Sequence, residues 1–121
     1  MRRSLLSLAA AAGLAAPAGA TWSIILIDTR TGEIAVASAT CLTSFDLQAG
    51  TPVLIPGIGA ATAQSSVDQG GYNRVFIRDR LLEGLDPGEI VAQLEGFDSG
   101  HQTRQYGIAS ADGGTATFTG D

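Results

Sequence analysis

The chain has 121 residues, of which 45% are hydrophobic and 16% charged, and its net charge is −5. Length and composition indicate one small globular domain. All basic residues are arginines and they form no basic face, which argues against a nucleic-acid partner. One cysteine and one histidine cannot supply the three or four ligands of a dedicated zinc site. We therefore expect no metal and no cofactor, and no internal disulfide.

The first twenty residues have the pattern of a secretory signal peptide. Arg2–Arg3 is a positive segment, residues 5–16 are mostly apolar, and Ala18-Gly19-Ala20 supplies small residues before a cleavage point. An apolar run of about twelve residues is too short to span a bilayer, which needs roughly 20. We expect cleavage after Ala20, a periplasmic or secreted mature chain beginning at Thr21, and no stable membrane insertion. The arginine pair leaves Sec and twin-arginine export both open.

The first half of the mature chain has the pattern of β-strands. Trp22–Asp28 is apolar and rich in β-branched residues, which predicts a strand buried on both faces. Glu33–Ala39 predicts its hairpin partner, and the polar residues 40–50 predict a loop. Residues 53–57 are a short apolar piece closed by a Pro-Gly turn, and residues 58–65 are expected to follow as a third or fourth strand. The strand over 58–65 is rich in Ala and Thr, so another layer can pack closely against it.

The second half predicts two helices followed by a β-hairpin. Apolar residues at four-residue spacing predict a helix over Asn73–Glu83. A second helix is expected to begin after Asp86, a capping residue, with Pro87 in its first turn. Strands over 105–110 and 115–119 then enclose a Gly-rich turn. The order of strands, helices and strands is typical of an α+β fold.

Thr21 is the residue that points to chemistry, because cleavage after Ala20 would place a hydroxyl and a free α-amine on one residue. An α-amine with a pKa of roughly 7.7–8.0 is partly neutral near pH 7 and can take the hydroxyl proton. Acyl transfer also needs donors for the oxyanion, and Gln64, on the Ala/Thr-rich strand, is a candidate. Every exported protein has some first residue, so a purely structural Thr21 stays open.

The other candidate residues each have a structural and a functional interpretation. Cys41 is expected to be a buried thiol or a half-cystine whose partner lies outside this sequence, and His101 is expected to be solvated in a polar loop. Arg74 and Arg78 are expected on a solvated helix face. Asp68 could orient a site at Thr21. Arg104 and Gln105 form either a structural hydrogen-bonding pair or a substrate contact.

Four motifs in order along the mature chain resemble a bacterial family, domain of unknown function 1028. They are T-W-S-I-I-L-I-D-x-x-T-G-E-I-A-V-A-S at 21–38, G-A-A-T-A-Q at 59–64, R-Q-Y-G-I at 104–108 and T-G at 119–120. Each motif is weak alone, whereas the ordered set is specific and covers essentially all of residues 21–121. The family is grouped with the N-terminal-nucleophile hydrolases, which fold as a four-layer αββα sandwich.

This resemblance implies an exported amidohydrolase whose nucleophile is Thr21, acting on a small-molecule or peptide-like amide. Together with the candidates above, we expect Thr21 and Gln64 to be catalytic, and Asp68 and Arg104 to bind substrate. Ala63 stands where the family commonly has Thr, and this chain has no lysine to tune the nucleophile. Family members continue for roughly as many residues again, so residues 21–121 are expected to be the N-terminal part of the sandwich. The alternative from another class is a non-catalytic exported module that binds cell-wall or other envelope material.

Overall fold

The computed structural model describes residues 21–121, which begin with an antiparallel β-hairpin. Strand β1 spans Thr21–Ile27 and strand β2 spans Ile34–Thr40. The register pairs Thr21 with Thr40 at the open end and Ile27 with Ile34 at the turn. In the turn, the Asp28 carboxylate accepts the backbone N–H of Arg30 at 2.8 Å. The hairpin is therefore a two-stranded sheet with the first described residue at its open end.

A second sheet contains four antiparallel strands in the order β3-β4-β5-β6. The strands are β3 (Pro52–Ile55), β4 (Gly59–Ser65), β5 (Arg104–Ser110) and β6 (Thr115–Thr119). A four-residue helix, α1 (Leu47–Gly50), precedes β3 inside the segment predicted to be a loop. Its first turn is stabilised by the side chain of Asp46, which accepts the N–H of Ala49 at 3.0 Å.

Two eleven-residue helices connect β4 to β5. Helix α2 spans Tyr72–Leu82 and helix α3 spans Pro87–Phe97. Asp86 caps α3 as the sequence predicts, because its carboxylate accepts the N–H of Gly88 at 2.7 Å. A short 3₁₀ helix over His101–Thr103 then leads into β5.

Both faces of the four-stranded sheet are covered. One face packs against α2 and α3, and its core contains Ala61, Ala63, Tyr106 and Ile108 from the sheet with Ile77, Leu81, Ile90 and Leu94 from the helices. The hairpin packs against the other face, where β1 contacts β4 and β5. Ile25 of β1 lies over Gly107 of β5. The described chain therefore has three layers: hairpin, four-stranded sheet and helices.

The structure confirms a mixed α+β fold and corrects one expectation about β1. The strand was expected to be buried on both faces, but its outward-facing residues Trp22, Ile24 and Leu26 are 58%, 46% and 60% exposed. The inward-facing residues alternate with them and are half-buried. Because side chains of a strand point alternately to its two faces, the described residues cover only the inner face.

The signal peptide proposed for residues 1–20 lies outside the described residues. Within residues 21–121, no helix is both long enough and apolar enough to cross a bilayer.

Candidate functional site

Thr21 lies on the inner face of the hairpin, where polar side chains follow one another along the first residues of β1. Its Oγ1 is 2.9 Å from Oγ1 of Thr40, its register partner on β2. One step further along the same face, Ser23 Oγ is 2.7 Å from Ser38 Oγ. Alternation along β1 turns these hydroxyls toward the four-stranded sheet, so the Thr21 hydroxyl is half-buried between the two sheets.

The side chain of Gln64 on β4 links this end of β1 to the larger sheet by hydrogen bonds. The side chain is 4% exposed, and its Nε2 donates to the carbonyl oxygen of Thr21 at 3.0 Å and to Oε1 of Gln105 at 2.5 Å. Its Oε1 accepts the hydroxyl of Ser23 at 2.5 Å. Both amide hydrogens are therefore committed within the protein. The oxyanion role predicted for Gln64 requires one of these two bonds to be released.

An open cleft of about 280 Å³ begins at Thr21 and is called the Thr21 cleft below. Its walls come from the ends of β1, β4, β5 and β6 and from the 3₁₀ segment. The lining is mainly polar and consists of Thr21, Leu42, Ser65, Ser66, Gln102, Thr103, Arg104, Gln105, Thr119, Gly120 and Asp121. The structure thus brings Thr21 and Arg104, two of the predicted site residues, to one cavity.

A second hollow of about 220 Å³ lies on the other side of Gln105 and Thr119, which line both cavities. It is bordered by Trp22 and Ser23 of β1 and by Gln64. Gln105 Nε2 donates to Thr119 Oγ1 at 3.1 Å, which ties β5 to β6 between the two cavities. The hydrogen bonds that link Gln64, Gln105 and Thr119 therefore lie between the two cavities.

Arg104 is held in the wall of the Thr21 cleft by an ion pair with Asp98. The Arg104 Nε donates to Asp98 Oδ2 at 2.8 Å, and the two side chains are 15% and 11% exposed. The hydrogen bond from Arg104, offset in part by burial and aided by Asn73, holds the pKa of Asp98 well below its usual value. The same hydrogen bond raises the pKa of Arg104. The pair is charged and nearly buried at ordinary pH.

Asp98 also joins both helices to the sheet. It accepts Asn73 Nδ2 at 2.6 Å, Tyr106 OH at 3.2 Å and the N–H of Gly100 at 2.9 Å. Burial, with the nearby Asp98 charge as the next cause, raises the pKa of Tyr106. Sequence reasoning missed Asp98, because nothing in the chain near residue 98 shows that α2, α3 and β5 meet there.

Asp68, the other predicted substrate-binding residue, lies at the start of α2. Its carboxylate accepts the backbone N–H groups of Tyr72 at 2.6 Å and Asn73 at 3.2 Å. Both contacts satisfy N–H groups that the first turn of a helix leaves without intrahelical partners. The structure does not place Asp68 among the residues that line the Thr21 cleft.

Three expectations about other residues need correction or refinement. His101 is buried rather than solvated, with its ring stacked on Phe118 at a centroid distance of 3.8 Å. Cys41 is exposed, so the interpretation as a buried thiol is wrong. Arg78 pairs with Asp79 on the solvated face of α2, as expected. Arg74 instead reaches across to the carbonyl oxygen of Ala49.

Within residues 21–121, no group of three or more His, Cys, Asp or Glu side chains is arranged to hold a metal ion. What the site offers instead is a half-buried hydroxyl, a buried amide and an open polar cleft. A hydroxyl at the edge of such a cleft can act as a nucleophile when a base is next to it.

A hairpin stacked on a four-stranded sheet, with helices on the far side, defines an α+β protein with two antiparallel sheets. The chain belongs to the Family of unknown function (DUF1028), whose family model matches residues 21–121. Its structure is similar to the crystal structure of protein SPO2555 from Silicibacter pomeroyi, which is described by the same family model, with a TM-score of 0.71 and 26% sequence identity. The similarity covers 83% of this chain and 45% of that chain, so this chain spans less than half the length of its solved relative. No functionally curated protein matches the chain.

Proposed function

We propose that this protein is an exported amidohydrolase of the N-terminal-nucleophile type, with Thr21 as its nucleophile. The observation that carries the proposal is the placement of Thr21. It is the first residue of the family match, its backbone is fastened by Gln64, and it lines an open polar cleft. A residue with only a structural role at the end of a hairpin would not need both a hydrogen bond from the buried Gln64 side chain and a place in the wall of an open cleft.

The proposed reaction begins when cleavage after Ala20 frees the α-amine of Thr21. The neutral amine takes the hydroxyl proton, directly or through a water molecule, while Thr21 Oγ1 bonds to the carbonyl carbon of the substrate amide. The carbon–nitrogen bond then breaks, and the proton passes from the α-amine to the leaving amine. Water adds to the resulting ester and releases the carboxylic acid, which restores the Thr21 hydroxyl and amine.

The hydrogen bonds around Thr21 support this assignment, because a nucleophile must be held in one geometry before the substrate arrives. Gln64 fixes the carbonyl group of Thr21, and Thr40 Oγ1 lies within hydrogen-bonding distance of its hydroxyl. The three-layer order of hairpin, sheet and helices is also what three consecutive layers of an αββα sandwich would look like. We propose that the described residues form that part of such a fold.

The proposal is tested with a broad acylating probe, such as an activated ester or β-lactone, on the exported and processed protein. Cys41 is an exposed thiol and would react with the same probe, so all labelling is done in a Cys41→Ser background. Thr21→Ala should abolish ester-linked labelling and leave the fold unchanged, whereas Thr21→Ser should retain part of it; an amide adduct on the α-amine is counted separately. Ester-linked labelling that persists in Thr21→Ala would overturn the proposal.

An N-terminal extension separates the amidohydrolase from a non-catalytic binding module. A tag left ahead of Thr21 converts its α-amine into a peptide nitrogen, which cannot act as the base. The tagged protein should lose ester-linked labelling completely, while its thermal unfolding transition stays in place. A binding module would instead keep its ligand with the tag present, because its surface need not include the first residue.

A further inference from the structure

Ser65 has an unusual backbone conformation at the end of β4. Within residues 21–121 it is the only residue other than glycine with a positive φ, at 72°. A side chain at Cβ makes this left-handed region unfavourable, and glycine or asparagine would occupy it more readily. Non-glycine residues held in such conformations concentrate at functional sites.

The position of Ser65 connects it to Thr21. It directly follows Gln64, the residue that fastens the Thr21 backbone, and it lines the Thr21 cleft together with Thr21 itself. Its side chain is exposed to that cleft. The left-handed backbone therefore lies where β4 passes from the buried residue Gln64 to the open Thr21 cleft.

Several donors around the Thr21 cleft are already hydrogen-bonded within the protein. Fewer groups therefore remain that could donate a hydrogen bond to the carbonyl oxygen of a substrate. Both amide hydrogens of Gln64 are used, by Thr21 and by Gln105. Thr103 Oγ1 donates to the carbonyl oxygen of Gly100 at 2.8 Å, and Arg104 directs its Nε to Asp98. Neither Ser65 nor Ser66 has a side-chain hydrogen bond within the described part of the chain, and of these two only Ser65 adds a left-handed backbone and the position next to Gln64.

We propose that the Ser65 hydroxyl donates a hydrogen bond to the carbonyl oxygen of an amide substrate while Thr21 attacks it. This inference rests on the proposed function. It moves the side-chain oxyanion contact from Gln64 to Ser65 and leaves Gln64 as a positioning residue. Glycine would adopt this backbone conformation without strain, but it has no hydroxyl. The unfavourable φ at residue 65 is then tolerated because serine places a hydroxyl in the Thr21 cleft.

Two substitutions at Ser65 separate the hydroxyl from the backbone conformation. Ser65→Ala removes the hydroxyl and keeps the unfavourable φ, whereas Ser65→Gly removes the hydroxyl and relieves it. Ser99→Ala is the matched control, because Ser99 is an exposed serine that does not line the Thr21 cleft. Each variant is treated with an ester probe over a range of concentrations, in the Cys41→Ser background.

Loss of one oxyanion donor slows acylation by about 10²–10³-fold. We expect both Ser65 variants to lose about this factor in the limiting rate of Thr21 acylation, with little change in the probe concentration at half-maximal rate. Ser99→Ala should label like the parent, and Ser65→Gly should unfold at a higher temperature than Ser65→Ala. A merely structural role would change the unfolding temperature without changing the limiting rate.

Thr21-dependent labelling that proceeds at the parent rate in Ser65→Ala would overturn this inference and leave the proposed function intact. Full activity in Ser65→Gly, with loss only in Ser65→Ala, would also overturn it, because the hydroxyl is absent from both. Ester-linked labelling that survives in Thr21→Ala, or a parent that forms no ester adduct at all, would overturn the proposed function and this inference together.

Discussion

Replacing Asp98 by alanine should destabilise the fold more than any exposed charge substitution in residues 21–121. The carboxylate is 11% exposed and accepts hydrogen bonds from Arg104, Asn73 and Tyr106. Its removal leaves the Arg104 guanidinium, itself 15% exposed, without a counter-charge. Three neutral donors, the Asn73 amide, the Tyr106 hydroxyl and the Gly100 N–H, also lose their acceptor.

The magnitude follows from which groups lose a partner. Breaking a buried ion pair by removing one member costs about 3–5 kcal/mol, because the remaining charge is left uncompensated. Small domains have a total free energy of unfolding of about 5–15 kcal/mol. Asp98→Ala should therefore remove a large share of the stability, and Asp98→Asn, which keeps the shape and one acceptor oxygen, should remove less.

Urea unfolding followed by tryptophan fluorescence measures the difference. Asp79→Ala is the matched control, since Asp79 forms a 2.7 Å ion pair with Arg78 while both side chains are about half exposed. Such surface pairs contribute about 0–1 kcal/mol. If Asp98→Asn and Asp79→Ala lower the free energy of unfolding by the same amount, the reasoning about the Asp98 cluster is refuted.

Three further predictions concern pH, the thiol and the outer face of the hairpin. Because the pKa of Asp98 in the fold lies below its ordinary value of 3.8, the stability that it contributes is present above about pH 4 and is lost as the pH falls toward the lower pKa of the folded state. Acid titration of stability should show this loss in the parent and a flatter profile in Asp98→Asn; equal profiles would contradict it. Cys41 is exposed, so a maleimide should modify it in the native protein as fast as in urea, and strong native protection would be contrary to the structure. Leu26 is 60% exposed, so Leu26→Lys should cost residues 21–121 little thermal stability, and a drop of many degrees would show that Leu26 is packed.

The elements of the fold were largely predictable because their signals are local. The last strand, Thr115–Thr119, has the predicted bounds, and Asp86 caps α3 as expected. The hairpin was also predicted, with each strand displaced by about one residue, which is within the ordinary uncertainty of element ends. Alternating hydrophobicity, turn residues and capping residues are sufficient for such predictions.

What the sequence did not reveal depends on contacts between distant segments. His101 lies in a polar stretch, yet it is buried because Phe118 of β6 stacks on it. Asp98 becomes the centre of a cluster only when α2 and β5 bring Asn73 and Tyr106 to it. Pattern along the chain carries no information on these pairings.

The candidate site was predictable in part for the same reason. The sequence predicts both Thr21 and Gln64 as site residues. They are 43 positions apart in the chain, and the structure joins them by a hydrogen bond between β4 and β1. Only the packed sheets show that both amide hydrogens of Gln64 are hydrogen-bonded within the protein. The same is true of the positive φ of Ser65. The catalytic roles of these residues stay predictions.

Peptide mapping by mass spectrometry of the exported, probe-treated protein tests the central claim most directly. The Cys41→Ser protein is produced with residues 1–20 in place, treated with the acylating probe and digested. We predict one ester adduct on a peptide whose first residue is Thr21, carried on its side-chain oxygen, and no ester adduct on that peptide in Thr21→Ala. A mature N-terminus at any other residue, or an adduct located elsewhere in the chain, would contradict the account.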